Sequence, residues 1–251
     1  MSMALAAGFW GLVGGSALLI GAAIGWFARL PQRAIAYVMA VGAGVLISAV
    51  AFDLMDEAYR QGGFGPSALG ALGGAALYTV ANIIVSRNGA RHRKRSGADK
   101  DQAPAGQEAG TAIAIGALLD GIPESVVIGV SLLGGGAVSW VTVIAVFLSN
   151  VPEGLSSAAG LKASGHRVGY VFALWGGIAL VSGLAALIGN VALAGAAPVT
   201  VAAITSVAAG AILAMLIDTM IPEAASESHE ASGLIAVAGF LGAFLLSKLG
   251  G

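Results

Sequence analysis

The chain has no cysteine and only three histidines in 251 residues. The first absence excludes disulfides, thiolate metal sites and thiol catalysis. The second leaves no material for a histidine-rich metal centre. Charge is scarce as well: 10% of residues are charged, against about 25% in an ordinary soluble domain. The formal net charge is −1, so nothing recommends a nucleic-acid partner, and none is expected. The His-Glu-x-x-His pattern that metal-dependent hydrolysis calls for is missing. What fills the chain instead is apolar: 57% hydrophobic residues and 39 glycines. That composition belongs in a lipid bilayer.

A helix needs about 20 mostly apolar residues to cross a bilayer. Eight segments meet that need, at about Ala4–Phe27, Ala34–Ala58, Ser67–Val85, Thr111–Leu133, Val138–Ala163, Val168–Ala192, Val199–Ala225 and Gly233–Leu249. The first lacks a basic start and is longer than a signal-peptide core, so it is expected to be retained. The expected fold class is an all-α integral membrane protein with eight transmembrane helices, one domain spanning residues 1–251. A Gly/Pro turn at Gly62, Gly63, Gly65 and Pro66 should separate the second and third helices. The one long polar stretch, 87–110, carries Arg91, Arg93, Lys94 and Arg95 and is expected to be a disordered basic cytoplasmic loop.

Lys and Arg orient such a bundle. With the N-terminus outside, ten of the twelve fall on the cytoplasmic side: Arg29, Arg33, the six of the loop, Lys162 and Arg167. Only Arg60 and Lys248 fall outside. Both termini are therefore expected outside the cytoplasm, in a multi-pass protein of the cell (inner) membrane. Trp10, Trp26 and Trp140 lie near helix ends and read as interfacial anchors. The pairs Gly11/Gly15, Gly21/Gly25 and Gly70/Gly74 would let helix backbones approach closely.

Two helices look alike. The second closes with Gly44, an apolar stretch, then Asp53, Met55, Asp56, Glu57 and Ala58. The seventh closes with Gly210, an apolar stretch, then Asp218, Met220, Pro222, Glu223 and Ala224. In the chosen orientation these acidic ends lie on opposite membrane faces. That is what an inverted repeat of helices 1–3 and 6–8 around a central helix 4–5 pair requires.

The chemistry concentrates in two short motifs, Asp120-Gly121-Ile122-Pro123-Glu124-Ser125 and Ser149-Asn150-Val151-Pro152-Glu153-Gly154. A carboxylate at mid-membrane depth costs roughly 2.5–3.5 kcal/mol on insertion scales. A proline there removes a helix hydrogen bond and frees the carbonyl one turn back, here that of Leu119 or Leu148. Asp120 and Glu124 share a helix face, as do Ser149 and Glu153, with Asn150 close to it. No Lys or Arg lies inside the apolar runs to pair with these acids. Three carboxylates, an amide oxygen, a hydroxyl and the freed carbonyls make an oxygen-rich cage for a divalent cation. Asp53, Asp56 and Glu57 would mark the entry side of a path, and Asp218 and Glu223 the exit side. His229, between Glu227 and Glu230, could capture metal at the cytoplasmic face. Metal entry would displace protons, so uptake should depend on pH.

On these residues the chain resembles the ZIP (Zrt/Irt-like) family of divalent metal transporters. The likeness covers the helix count, the outward termini, the loop after helix three, the paired Pro-Glu motifs and the acids closing helices two and seven. It implies that Glu124 and Glu153 are ligands shared between two adjacent metal positions, and that transport runs into the cytoplasm. Asp120 stands where that family usually has His, Gly121 where it has Asn, and Ser149 where His or another polar ligand is frequent. Helix six lacks the carboxylate that some members supply to the second position. The resulting ligand set is all oxygen, which suits harder ions such as Mn²⁺ or Fe²⁺, while zinc also accepts carboxylates.

The expected function is thus a permease, not an enzyme. It carries Zn, Fe or Mn as substrate, uses no organic cofactor and has the lipid bilayer and metal ions as partners; a homodimer is also allowed for. Two alternatives stay open. One is a proton-coupled carrier of another small solute. The other is an intramembrane aspartyl protease using Asp120 and Asp218, although neither Leu119-Asp120 nor Ile217-Asp218 matches the motifs of such enzymes.

Overall fold

The computed structural model describes residues 2–28, 30–86, 107–134, 138–226 and 230–249. It is all helical, with no strand among the described residues. Eight helices are long and apolar enough to cross a membrane. They are α1 (Met3–Phe27), α2 (Gln32–Gly62), α3 (Phe64–Val85), α4 (Gln107–Ser131, apolar from Ala114), α5 (Trp140–Ala163), α6 (Val168–Leu193), α7 (Pro198–Ser226) and α8 (Ser232–Leu249). The chain is a multi-pass membrane protein.

Helix ends follow local chemistry. Ser2 caps α1 by accepting from the Leu5 amide, and Ser139 caps α5 by accepting from the Thr142 amide at 3.2 Å. Gly63, at φ 74°, reverses α2 directly into α3, a conformation open to glycine because it has no Cβ. The turn is therefore tighter than the Gly/Pro cluster suggested. Pro66 already lies in the first turn of α3, where its missing N–H forfeits no helix bond. At the far side of the polar stretch, α4 begins at Gln107. This corrects the expectation of disorder for 107–110: Gln, Glu and Ala are good helix formers, so the helix outruns its apolar part. Residues 87–106, the rest of the expected basic loop, lie outside the described residues.

Neither α2 nor α7 is a uniform α-helix. Val50–Met55 in α2 and Leu216–Met220 in α7 are wound as π turns. Each contains an aspartate, Asp53 or Asp218. A π turn carries more residues than an α turn and is found preferentially at functional sites.

Burial ranks the helices. In α5, 72% of the most apolar window is buried and in α8 only 17%. α2 and α5 are the most enclosed, α4 and α7 follow, and α3 and α8 are peripheral. One apolar core joins α2 and α7 through Met39, Leu46, Ile212, Met215 and Leu216. A second joins α1, α4, α5 and α6 around the fully buried Trp175. α4 leans chiefly on α6, and α5 chiefly on α1. The expected central pair thus meets over a short stretch only.

The glycines set the closest approaches. α1 lies against α6 at Gly11 and Gly15, and against α5 at Gly21 and Gly25. Two other crossings are reciprocal. A Cβ on Gly44 (α2) would overlap the Ala236 carbonyl of α8, and one on Gly239 (α8) the Val41 carbonyl of α2. Likewise a Cβ on Gly210 (α7) would overlap Ala71 O of α3, and one on Gly74 (α3) would overlap Val207 O of α7.

Candidate cation site

Pro123 and Pro152 sit inside α4 and α5, and both helices continue beyond them. The turn around Pro123 is buttressed by a side chain: Ser125 Oγ donates to Gly121 O at 2.7 Å. The acids beside the prolines are buried. Asp120 and Glu124 are each 2% exposed and Glu153 is 7% exposed.

The neighbouring helices supply hydroxyls to these acids. Tyr78 Oη of α3 donates to Asp120 Oδ1 at 2.9 Å. Ser149 Oγ of α5 lies 3.3 Å from Glu124 Oε1 and 2.9 Å from Val146 O. A hydroxyl carries one proton, so the shorter Val146 contact competes for it. The Ser149–Glu124 contact is where the two Pro-Glu motifs meet. Asn150 turns its nitrogen to α1, donating to Gly14 O at 3.1 Å. Its amide oxygen takes no part in that contact.

Glu124 also borders a narrow gap of about 10 Å³ with apolar walls, together with Leu46 and Leu54 of α2, Val127 of α4, Thr142 and Val146 of α5 and Ile212 of α7. That volume holds about one water molecule. Four helices therefore converge on one carboxylate and one atom-sized space. The gathering is partial, however. Among the described residues, no group of three or more His, Asp or Glu stands close enough to hold a metal ion together. Asp120 is drawn toward α3 and Glu124 toward α5.

The outlying acids divide into two kinds. Asp53 is half-buried in the π turn of α2. Its Oδ1 accepts from Ser247 Oγ of α8 at 2.8 Å, and its Oδ2 is enclosed without a hydrogen-bond partner. Asp56 pairs with Arg60, and Glu57 accepts from Gln61 Nε2 at 2.6 Å, each one turn along the same helix. These two are surface pairings of a helix end. Asp218 is exposed, whereas Glu223 is 6% exposed, deeper than a residue that merely marks a helix end. Asp218 is exposed and Asp120 buried, unlike the two members of a shared-proton aspartyl dyad. His229 lies outside the described residues.

Tyr78 is the site residue that sequence reasoning missed. Within an apolar run its ring is indistinguishable from one facing lipid. The available signal was indirect: Asp120 lies in an apolar run that holds no Lys or Arg, and Tyr78 is the one tyrosine of the third helix. Comparison of the chain with protein-family models and with curated protein sequences returned no match.

Proposed function

We propose that this protein is a transporter of divalent metal cations, with zinc, iron or manganese as cargo and the cytoplasm as destination. The observation that carries the reading is the position of Glu124. It is a buried carboxylate on a proline-interrupted helix, in contact with Ser149 of the matching motif, beside a space the size of one atom. Ionisable groups at such depth are retained in membrane proteins chiefly for function. Asp120, Glu124, Ser149, Asn150 and Glu153 supply oxygen donors for the ion. Among the described residues no three carboxylates are gathered, so an arriving ion would draw Asp120 and Glu153 toward Glu124.

The resemblance to the ZIP family supports the same reading and supplies the inward direction. Support for an inverted repeat of α1–α3 and α6–α8 comes from two symmetric features. Each of α2 and α7 carries an aspartate in a π turn, and the α2–α8 and α7–α3 crossings exchange glycines and carbonyls reciprocally. Such repeats place the substrate at the bilayer midplane between two halves that rock about it. The basic residues favour both termini outside.

The test is uptake of Zn²⁺, Fe²⁺, Mn²⁺, Co²⁺, Cd²⁺ and Mg²⁺ into vesicles holding the purified protein, with Glu124→Gln and Glu153→Gln alongside. At least one ion should accumulate with the parent, and both variants should lose most of that flux. Undiminished flux in both variants would remove these residues from the site. No flux of any ion with the parent, together with uptake of an organic solute down a proton gradient, would favour the alternative carrier.

A further inference from the structure

One feature lies away from the acids. At the end of the bundle that carries Lys162, a cleft of about 400 Å³ opens between the end of α1, the start of α2 and the last turns of α5. It exists because small residues face each other there. Gly25 brings α1 into backbone contact with α5 at Leu155, and beyond that contact Ala28 and Ala159 are too small to fill the gap. Among the described residues, the side chains that line it are apolar apart from the Gln32 amide and the Lys162 ammonium.

Lys162 is exposed but fixed. It donates to the Trp26 carbonyl, and its ammonium lies 5.6 Å over the Trp26 ring. An ammonium has three protons, and the carbonyl takes one. Among the described residues, no Asp or Glu lines the cleft. It therefore does not fit a cation leaving the protein, which Lys162 would repel. An apolar trough with one positive charge at its mouth, beside an interfacial tryptophan, complements a molecule with a hydrocarbon tail and a negative head. Its volume is in the range of small-molecule pockets, and basic recesses between helix ends are where anionic headgroups are held.

We propose that this cleft binds a phospholipid with an anionic headgroup, its acyl chain against Gly25, Leu155 and Ala159 and its phosphate at Lys162. The inference needs the chain to span a bilayer and does not depend on what the protein carries.

The experiment is native mass spectrometry of the full chain in detergent with equal amounts of phosphatidylglycerol and phosphatidylcholine. The parent should retain phosphatidylglycerol in preference by about fivefold, the discrimination that one lysine gives at an anionic surface. Lys162→Gln should bring the two lipids to parity. Ala159→Trp, which fills the trough, should retain neither above background, and Ala163→Leu at the rim serves if that variant does not fold. Lys248→Gln, at the opposite end, should behave as the parent. Parity in the parent, or full retention by folded variants at Lys162 and Ala159, would overturn the proposal. So would competition by glycerol phosphate as effective as by the intact lipid, which would assign a free phosphate site. Loss of metal flux in the preceding experiment would leave this result untouched.

Discussion

Tyr78 and Asp120, 42 positions apart in the chain, are joined by a 2.9 Å hydrogen bond, and each is 2% exposed. The bond ties a peripheral helix to the motif of α4. Replacing Tyr78 with Phe keeps the ring and removes the donor. A buried acceptor that loses its donor costs about 1–3 kcal/mol. Tyr78→Phe should therefore lower the thermal midpoint in detergent and weaken metal binding by calorimetry. A variant equal to the parent in both would mean that the phenol does not hold Asp120 in place.

Asp120 stands at a position where an imidazole would supply a borderline ligand. Asp120→His should raise zinc flux relative to manganese flux in the vesicle assay. An unchanged ratio would show that this side chain does not touch the cargo.

The reciprocal crossings have no spare volume. Gly44→Ala and Gly210→Ala each place a methyl on a backbone carbonyl of the neighbouring helix. Overpacking costs typically about 1–3 kcal/mol and more where backbone must yield, so both variants should unfold at clearly lower temperature. Gly73 has nothing within 4 Å of its would-be Cβ. Gly73→Ala should be neutral or stabilise α3 by up to about 1 kcal/mol through helix propensity. Equal effects at all three sites would contradict the packing described.

Orientation is open to direct measurement. A reporter fused after Leu249 should signal from outside the cytoplasm, and a reporter inserted within 87–106 from inside it. The reverse pattern would invert the proposed path and make Asp218 the entry side.

The helix count and the two motifs were legible because apolar runs and buried acids leave strong marks in a sequence. The surface pairs Asp56–Arg60 and Glu57–Gln61 are legible from their four-residue spacing. Contacts between distant segments left no such mark. Nothing local announces that Tyr78 faces Asp120, that the Asn150 amide turns to Gly14, or that Ser247 meets Asp53. The start of α4 at Gln107 was hidden because polarity was read as disorder, although Gln and Glu are competent helix formers. The burial of Glu223 was masked by Pro222, which reads as a terminus but sits in the first turn of a continuing helical segment.

The widened winding at Val50–Met55 has a consequence for how this protein tolerates change. It lodges surplus length in a helix whose two ends are held, at Gly44 by α8 and at Gly63 by the reversal into α3. Deleting Ala51 should let the coil tighten to ordinary winding with its flanking turns still in register, removing the local displacement that positions Asp53. Asp53 would then leave Ser247, whereas exchanging Ala51 for Leu would keep the same alignment. Such a shortened chain should insert and fold yet lose flux, a pairing that uptake and circular dichroism on one sample would reveal.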